Sequence, residues 1–75
     1  MQGTEKQKER LWLKIARISK GHTQASLGQK VGLSGPTISA YESGDLTPKP
    51  PAAMRLGEEL DFDWQRFYQE DVKGA

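Results

Sequence analysis

Few side chains in this 75-residue chain have the chemistry that catalysis requires. His22 is the only histidine, and no partner residues suit it to catalysis, so we interpret it as a half-buried turn residue. The hydroxyls of Ser34, Thr37 and Ser39 have no neighbouring base that would make one of them a nucleophile. No glycine-rich phosphate-binding loop is present. The sequence therefore predicts that the chain is not an enzyme.

The other charged and aromatic clusters have structural explanations. The acidic run over residues 58–63 lacks the spacing of a calcium loop, so helix capping and a solvated surface explain it better. The aromatic residues over 64–68 recur at helical spacing, which favours a place in the core over a base-stacking platform. Because the chain has no cysteine, neither a disulfide nor a thiolate metal site can form. We expect no metal and no cofactor.

The segment from Gln24 to Gly44 is the most informative part of the sequence, and it predicts two short helices joined by a tight turn. Thr23 and Ser34 are suited to cap these helices, because their side chains can accept from unpaired first-turn amides. Gly32 supplies the positive φ angle of the turn. Gly28 lies within the first of the two helices, where glycine costs about 1 kcal/mol relative to alanine. A close crossing of the two helices would explain that glycine.

The whole chain is predicted to form five helices and no strand. The first begins at a capping box over Thr4 to Gln7, the second covers 24–31 and the third covers 35–43. Pro51 starts the fourth helix, and Asp63 caps the fifth. The residues expected to face the core are Leu13, Ala16, Leu27, Val31, Ile38, Tyr41, Met54, Leu56, Leu60, Trp64, Phe67 and Tyr68.

The five predicted helices are expected to form one small domain. The sequence contains neither a linker that would separate two domains nor an internal repeat. We expect residues 1–4 to be a disordered lead, residues 5–70 to form the domain with its helix-turn-helix motif at 24–43, and residues 71–75 to be a frayed tail. No apolar run approaches the length of about 20 residues that crosses a membrane. The lack of cysteine suits a reducing compartment. We therefore expect a cytoplasmic chain that does not contact membranes.

Charge is divided unevenly along the sequence. Residues 1–31 carry seven basic and two acidic side chains, a balance of +5, whereas residues 32–75 carry four basic and eight acidic ones, a balance of −4. A basic face can attract phosphates through counterion release while the acidic part points away from them. An ordinary solvated surface explains the same pattern equally well, so charge alone does not decide between the two interpretations.

The order of these residues resembles the Cro/CI-type (Xre) helix-turn-helix family of phage repressors and bacterial regulators, over about residues 11–68. The matching positions are Arg17, Gly21, Thr23, Gln24, Leu27, Gly28, Val31, Gly32, Ser34, Ile38, Glu42, Ser43, Gly44, Pro48, Met54, Leu56 and Leu60. The resemblance implies a compact all-α, five-helix, lambda-repressor-like domain. It also implies a sequence-specific regulator of transcription, a phage- or prophage-type repressor, that places helix 35–43 in the major groove of double-stranded DNA.

The resemblance also implies roles for particular residues. Thr23 and Gln24 occupy positions that contact DNA phosphate, and Lys49 lies in a loop that adds a phosphate contact. Arg17 and Glu42 match a structural ion pair that ties the first helix to the end of the recognition helix. The residues expected to face bases or flanking phosphates are Ser34, Gly35, Pro36, Thr37, Ser39 and Ala40.

The recognition helix departs from what direct readout of bases requires. Hydrogen-bonded readout uses side chains such as Arg, Lys, Gln and Asn, whereas Gly35, Pro36 and Ala40 offer no side-chain donor or acceptor. Readout would then depend on hydroxyls, on apolar contact with thymine methyl groups and on backbone amides. An alternative function is therefore an antirepressor or modulator that uses the same fold to bind another regulatory protein. A helical scaffold without a specific ligand is a third possibility.

The first helix carries a second apolar face. Leu11, Ile15 and Ile18 lie at i, i+4 and i+7, which makes a continuous stripe, and the family pattern places polar residues at the last two positions. Exposed apolar stripes mark interfaces, so we expect a partner here. That partner is either a second copy, in a twofold dimer on DNA, or a different regulator. The other interpretation is that part of the stripe folds back under the C-terminal helix.

Overall fold

The computed structural model of the protein describes residues 9–69, and every regular element in this range is a helix. The elements are α1 (Leu11–Ser19), α2 (Gln24–Val31), α3 (Gly35–Ser43), α4 (Pro50–Leu60) and α5 (Arg66–Gln69). The prediction of five helices without a strand is therefore confirmed for these residues. The predicted disordered lead and frayed tail lie outside the described range. No described helix combines the length and the apolar character needed to cross a membrane.

The start of α1 differs from the prediction. The sequence predicts a helix that continues from a capping box over Thr4 to Gln7. This prediction is wrong at residues 9 and 10, which are not helical. The capping box itself lies outside the described residues. The reason is a set of distant contacts made by Arg10. Its amide donates to the carbonyl of Glu42 over 2.7 Å, and its guanidinium donates to the carbonyl of Tyr41 over 2.7 Å. These bonds hold Arg10 outside the helix.

The caps of α2 and α3 form as the sequence predicted. The Thr23 hydroxyl accepts from the Ser26 amide over 2.9 Å, and the Ser26 hydroxyl accepts in return from the Thr23 amide over 3.0 Å. At the other end of α2, Gly32 has a φ of 78°, a left-handed conformation that ends the helix. The Ser34 hydroxyl then accepts from the Thr37 amide over 3.2 Å and caps α3. Both helices have the predicted bounds because these signals are local.

Gly28 marks a close approach, although not the one predicted. A Cβ atom at this position would lie 2.5 Å from the carbonyl oxygen of Leu33 and 3.0 Å from the carbonyl carbon of Ser34. The Leu33 amide also donates to the Gly28 carbonyl over 2.7 Å. The backbone of the turn, rather than α3 itself, therefore occupies the space beside this glycine.

The core forms where the helices meet. Its buried apolar residues are Leu13, Leu27, Val31, Ile38, Tyr41, Ala53, Leu56, Leu60 and Phe67. Three expected core residues, Ala16, Trp64 and Tyr68, are partly buried against it. The prediction for Met54 is wrong, because its side chain is 50% exposed. Ala53 faces inward instead, since Ala53, Leu56 and Leu60 lie at i, i+3 and i+7 along one face of α4.

The C-terminal segment packs on α1 through aromatic rings. The Phe67 ring is fully buried, and its centroid lies 5.2 Å from that of Trp12 and 5.7 Å from that of Phe62, in edge-on arrangements. Edge-on packing places the positive edge of one ring against the negative face of the next. The guanidinium of Arg66 lies over the Trp12 ring, 4.6 Å from its centroid. These contacts hold the short α5 in place.

Two details of this segment refine the predictions. α4 begins at Pro50, one residue before the predicted start, and the Asp63 carboxylate accepts from the Gln65 amide over 3.0 Å in the turn that precedes α5. The Tyr68 hydroxyl donates to the carbonyl of Pro48 over 2.8 Å. Burial, with a smaller contribution from Tyr41, raises the pKa of Tyr68 above its usual value of 10.0. The phenol therefore stays protonated to a higher pH than an exposed tyrosine does, and in that form it donates this hydrogen bond.

The Gly28→Ala substitution should lower the free energy of unfolding by about 1–3 kcal/mol, as overpacking usually does, because the new methyl group meets backbone. Gly35→Ala is the matched control. Its Cβ atom would lie 3.4 Å from the Cα atom of Ala25, an ordinary contact, so stability should be unchanged or slightly higher. Urea unfolding followed by circular dichroism measures both. Parent-like stability of Gly28→Ala would show that the turn can move away from α2.

Candidate nucleic-acid interface

Arg17 and Glu42 join α1 to the end of α3. The Nε atom of Arg17 lies 2.5 Å from Oε2 of Glu42, and Nη2 lies 3.3 Å from Oε1, so the contact is bidentate. The two side chains are only 9% and 7% exposed. The same carboxylate accepts from Nε2 of Gln24 over 3.0 Å, and Nη1 of Arg17 donates to the carbonyl of His22 over 2.9 Å. One carboxylate thus fixes the start of α2 relative to both α1 and α3.

Gln24 lies at the first position of α2, beside an open cleft of about 170 Å³. The residues that line the cleft are Glu9, Arg10, Leu11, Lys14, Gln24, Ser39, Glu42 and Ser43. A glutamine amide has two hydrogens, and Gln24 gives one of them to Glu42. The other, with the Ser39 hydroxyl and the exposed Lys14 ammonium, can serve an anionic oxygen. This combination of donors suits a phosphate group.

The first two turns of α3 present small, uncharged side chains. Ser34, Pro36 and Ser39 are exposed, and Gly35, Thr37 and Ala40 are half-buried. The hydroxyl oxygens of Ser34 and Thr37 lie 2.8 Å apart and are hydrogen-bonded to each other. Gly35 lies against Ala25, so α3 approaches the start of α2 closely here. The side chains around the start of α3 are therefore short and uncharged, and two of their hydroxyls are bonded to each other.

Thr23 and Lys49, which the resemblance places at phosphate contacts, lie at the starts of other helices. Exposed Thr23 is the N-cap of α2, and exposed Lys49 is the N-cap of α4. Thr23 adjoins Gln24 and so lies next to the cleft, whereas Lys49 is not among the residues that line it. Helix N-termini carry a partial positive charge, which favours contact with anions at both positions.

Arg10 is a buried charge that the sequence analysis missed. Arg10 belongs to the basic N-terminal part of the sequence, yet its side chain is only 3% exposed. Its guanidinium also donates to the Leu46 carbonyl over 2.9 Å and to the Thr47 hydroxyl over 2.7 Å. Its partners lie 31 to 37 residues away in sequence, so no local pattern could indicate them. Two of the basic residues of the N-terminal part, Arg10 and Arg17, therefore contribute little surface charge.

His22 is half-buried, as predicted for a turn residue. Its Nδ1 atom lies 2.8 Å from the Ser26 hydroxyl, and its Nε2 atom lies 3.0 Å from a carboxylate oxygen of Glu59. The imidazole thus connects the turn before α2 to α4. Among residues 9–69, no group of three or more His, Cys, Asp or Glu side chains is arranged to hold a metal ion.

The apolar stripe on α1 lies on the surface. Leu11, Ile15 and Ile18 are 58%, 55% and 55% exposed. The interpretation in which part of this stripe folds under the C-terminal helix is therefore wrong. Trp12, on a neighbouring face of α1, makes the contacts with the C-terminal aromatic residues instead.

The Glu42→Ala substitution should lower the free energy of unfolding by about 3–5 kcal/mol, because it leaves Arg17 buried without its carboxylate. Lys20→Ala is the control. It removes a salt bridge to Asp61 of 3.6 Å between side chains that are 44% and 83% exposed, and such exposed pairs contribute at most about 1 kcal/mol. Thermal unfolding measures both variants. A Glu42→Ala protein as stable as the Lys20→Ala protein would contradict the structural role of the buried pair.

Comparisons with known proteins agree with this architecture. The family model described as "Helix-turn-helix" (HTH_3) matches residues 13–67, from α1 into α5. The chain is 31% identical over 61 residues to "Uncharacterized HTH-type transcriptional regulator YqaF" of Bacillus subtilis (strain 168), and the match covers 81% of this chain and 80% of that relative. No solved structure matches the chain significantly. The chain belongs to the HTH_3 family of helix-turn-helix proteins, the Xre or Cro/CI type, whose members are DNA-binding regulators of transcription.

Proposed function

We propose that this protein is a phage- or prophage-type repressor that binds a specific sequence of double-stranded DNA with α3 in the major groove. The observation that carries the proposal is the buried contact of Gln24 and Arg17 with Glu42. This contact fixes the position and orientation of the start of α2 relative to α3. A protein that contacts the phosphate backbone and base edges at once needs such a relation, because the phosphate contacts set the register of the bases.

Phosphate contacts are proposed at the starts of α2 and α4. At α2, Thr23 and Gln24 combine a helix N-terminus with a side-chain amide, and the ammonium of Lys14 lies at the same cleft. At α4, Lys49 adds a second exposed ammonium at a helix N-cap. These groups carry no sequence information, so they set affinity and orientation for any duplex.

Base contacts are proposed along the exposed side of α3. The side chains in question are Ser34, Pro36, Thr37, Ser39 and Ala40, and Gly35 adds none. An α-helix fits the major groove, and short side chains allow its backbone to come close to the base edges. The close contact of Gly35 with Ala25 supports this assignment, because it brings the start of α3 beside the phosphate-binding end of α2.

Gln24→Ala and Lys49→Ala should each weaken binding to two unrelated duplexes by a similar factor. Lys49→Ala should also reduce the slope of log affinity against log salt by about one unit, because one phosphate contact is lost, whereas Gln24→Ala removes no charge and should leave the slope unchanged. The matched controls are Gln29→Ala and Lys30→Ala on the exposed part of α2, which should bind like the parent.

Fluorescence anisotropy with labelled duplexes from DNA beside the protein's own gene, over a series of salt concentrations, measures these constants. Circular dichroism must show that Gln24→Ala remains folded, since the substitution removes a hydrogen bond to Glu42. Parent-like binding of both variants at low salt would contradict the proposed docking.

The exposed stripe of α1 supports a protein partner in addition to DNA. We propose that Leu11, Ile15 and Ile18 form an interface between two copies, which would bind two half-sites related by a twofold axis. The alternative partner is a different regulatory protein, in which case the chain acts as an antirepressor or modulator. Tight complex formation with a second regulatory protein that persists at high salt would favour that alternative, because binding to phosphates weakens as salt rises.

Ile15→Glu together with Ile18→Glu should abolish assembly on DNA while leaving the melting temperature nearly unchanged, since both side chains are exposed. A double variant with Leu46→Glu and Met54→Glu is the matched control. Those residues are 52% and 50% exposed but lie outside α1, so assembly should persist. Light scattering coupled to size exclusion, with and without duplex, measures assembly. An α1 variant that still assembles would place the interface elsewhere.

A further inference from the structure

We infer that α3 recognises thymine through its C5-methyl group, by apolar contact with Pro36, Thr37 and Ala40 rather than by paired hydrogen bonds. This inference rests on the proposed function, because it requires α3 to lie in the major groove. It identifies the chemical feature of the DNA that the site selects. That feature is the thymine methyl group, placed in the half-site that faces the first two turns of α3.

The first step is that α3 has no side chain able to make a paired hydrogen bond to a base. Such contacts come from Arg or Lys on guanine and from Asn or Gln on adenine, and Gly35–Ser43 contains none of these four residue types. Glu42 is the one charged residue of the helix. Its carboxylate is buried and is already bonded to Arg17 and Gln24, so it cannot accept from cytosine.

The second step concerns the hydroxyls at the start of the helix. The Ser34 oxygen accepts from the Thr37 amide, and the two hydroxyls are hydrogen-bonded to each other over 2.8 Å. Within this pair one hydroxyl donates to the other, so a single hydroxyl hydrogen remains for a ligand. One rotating hydroxyl can bond to an acceptor on either purine or on thymine, so it discriminates poorly between bases.

The third step is the apolar surface beside these hydroxyls, since the exposed Ser39 adds only one more hydroxyl, which discriminates equally poorly between bases. Pro36 and Ala40 lie at i and i+4, and Thr37 lies three residues before Ala40, so the three residues are neighbours on one side of α3. Pro36 is exposed, and the other two are half-exposed. The apolar groups of these side chains are the proline ring, the alanine methyl group and the threonine methyl group. They form an apolar patch at the end of the helix that enters the groove in this motif.

In the major groove, one normal base offers an apolar group to such a patch. Thymine carries a C5-methyl group, whereas cytosine has only a hydrogen at C5, and the purines are distinguished there by their polar atoms. Burying a methyl group changes affinity by about fourfold, so a few such contacts could select a site without any long polar side chain. Uracil pairs as thymine does and lacks only this methyl group, which makes it a direct probe of the contact.

The experiment starts from the duplex that the whole protein selects from a library with a random core. That duplex is resynthesised with each core thymine replaced in turn by uracil. Affinity should fall by about fourfold for each methyl group contacted and stay unchanged at the other positions. In the Pro36→Ala protein, the ratio of thymine to uracil affinity should fall towards one at one or more of these positions.

Pro51→Ala is the matched control, because Pro51 is also an exposed second residue of a helix, α4. It should keep the full thymine-to-uracil ratio even if it alters overall affinity. Equal affinity for every thymine and uracil pair, or a ratio retained in full by Pro36→Ala, would overturn the inference while leaving the proposed function in place. Absence of salt-dependent binding to any duplex would instead overturn the proposed function, and with it the inference.

Discussion

The buried carboxylate of Glu42 is the contact on which the arrangement of the first three helices depends. It accepts from Arg17 of α1 and from Gln24 of α2, and the backbone carbonyl of the same residue accepts from the amide of Arg10. A buried charge is tolerated only where its partners are all in place, and removing one of them costs several kcal/mol. A small slide of α2 along α3 would break the contact with Gln24, and a slide of α1 would break the contacts with Arg17 and Arg10. The carboxylate therefore restricts the helix-turn-helix to one geometry.

The C-terminal ends of α2 and α4 have the same structure. Gly28 and Gly57 each lie four residues before a position with positive φ, Gly32 at 78° in one case and Asp61 at 67° in the other. In both helices the residue after that position donates back to the glycine carbonyl, over 2.7 and 2.9 Å. A Cβ atom on either glycine would lie within 2.6 Å of a backbone oxygen. Each helix thus ends in the same way, with the chain folded tightly back over a glycine.

The parts of the fold that were predictable from sequence are those set by neighbouring residues. The bounds of α2 and α3 follow from Thr23, Ser34 and Gly32, whose effects reach only a few residues along the chain. The start of α1 was not predictable, since Arg10 is held by groups from α3 and the loop after it. The choice of Ala53 over Met54 for the core was missed because the prediction favoured the larger apolar side chain, although only Ala53 has helical spacing to both Leu56 and Leu60.

The same limit applies to the site. Its residue types and their order indicated the family, and hence which positions lie near DNA, but the bond between Ser34 and Thr37 depends on two side-chain rotamers that no pattern specifies. That bond uses one of the two hydroxyl hydrogens that, from the sequence alone, were both available to a ligand. The engagement of Gln24 with Glu42 is similar, since it joins residues 18 positions apart and determines how much of the amide remains for a ligand.

The positions of the two tryptophans have a spectroscopic consequence. Trp12 packs against Phe62, and Trp64 packs against Tyr68, so both indole rings lie in the aromatic layer that holds α5. The helix-turn-helix itself contains a single aromatic residue, Tyr41. Intrinsic tryptophan emission therefore reports whether the C-terminal segment is docked. Motion of α2 against α3 changes that emission little. A fluorescent probe of the recognition helix therefore has to be introduced into α3 itself.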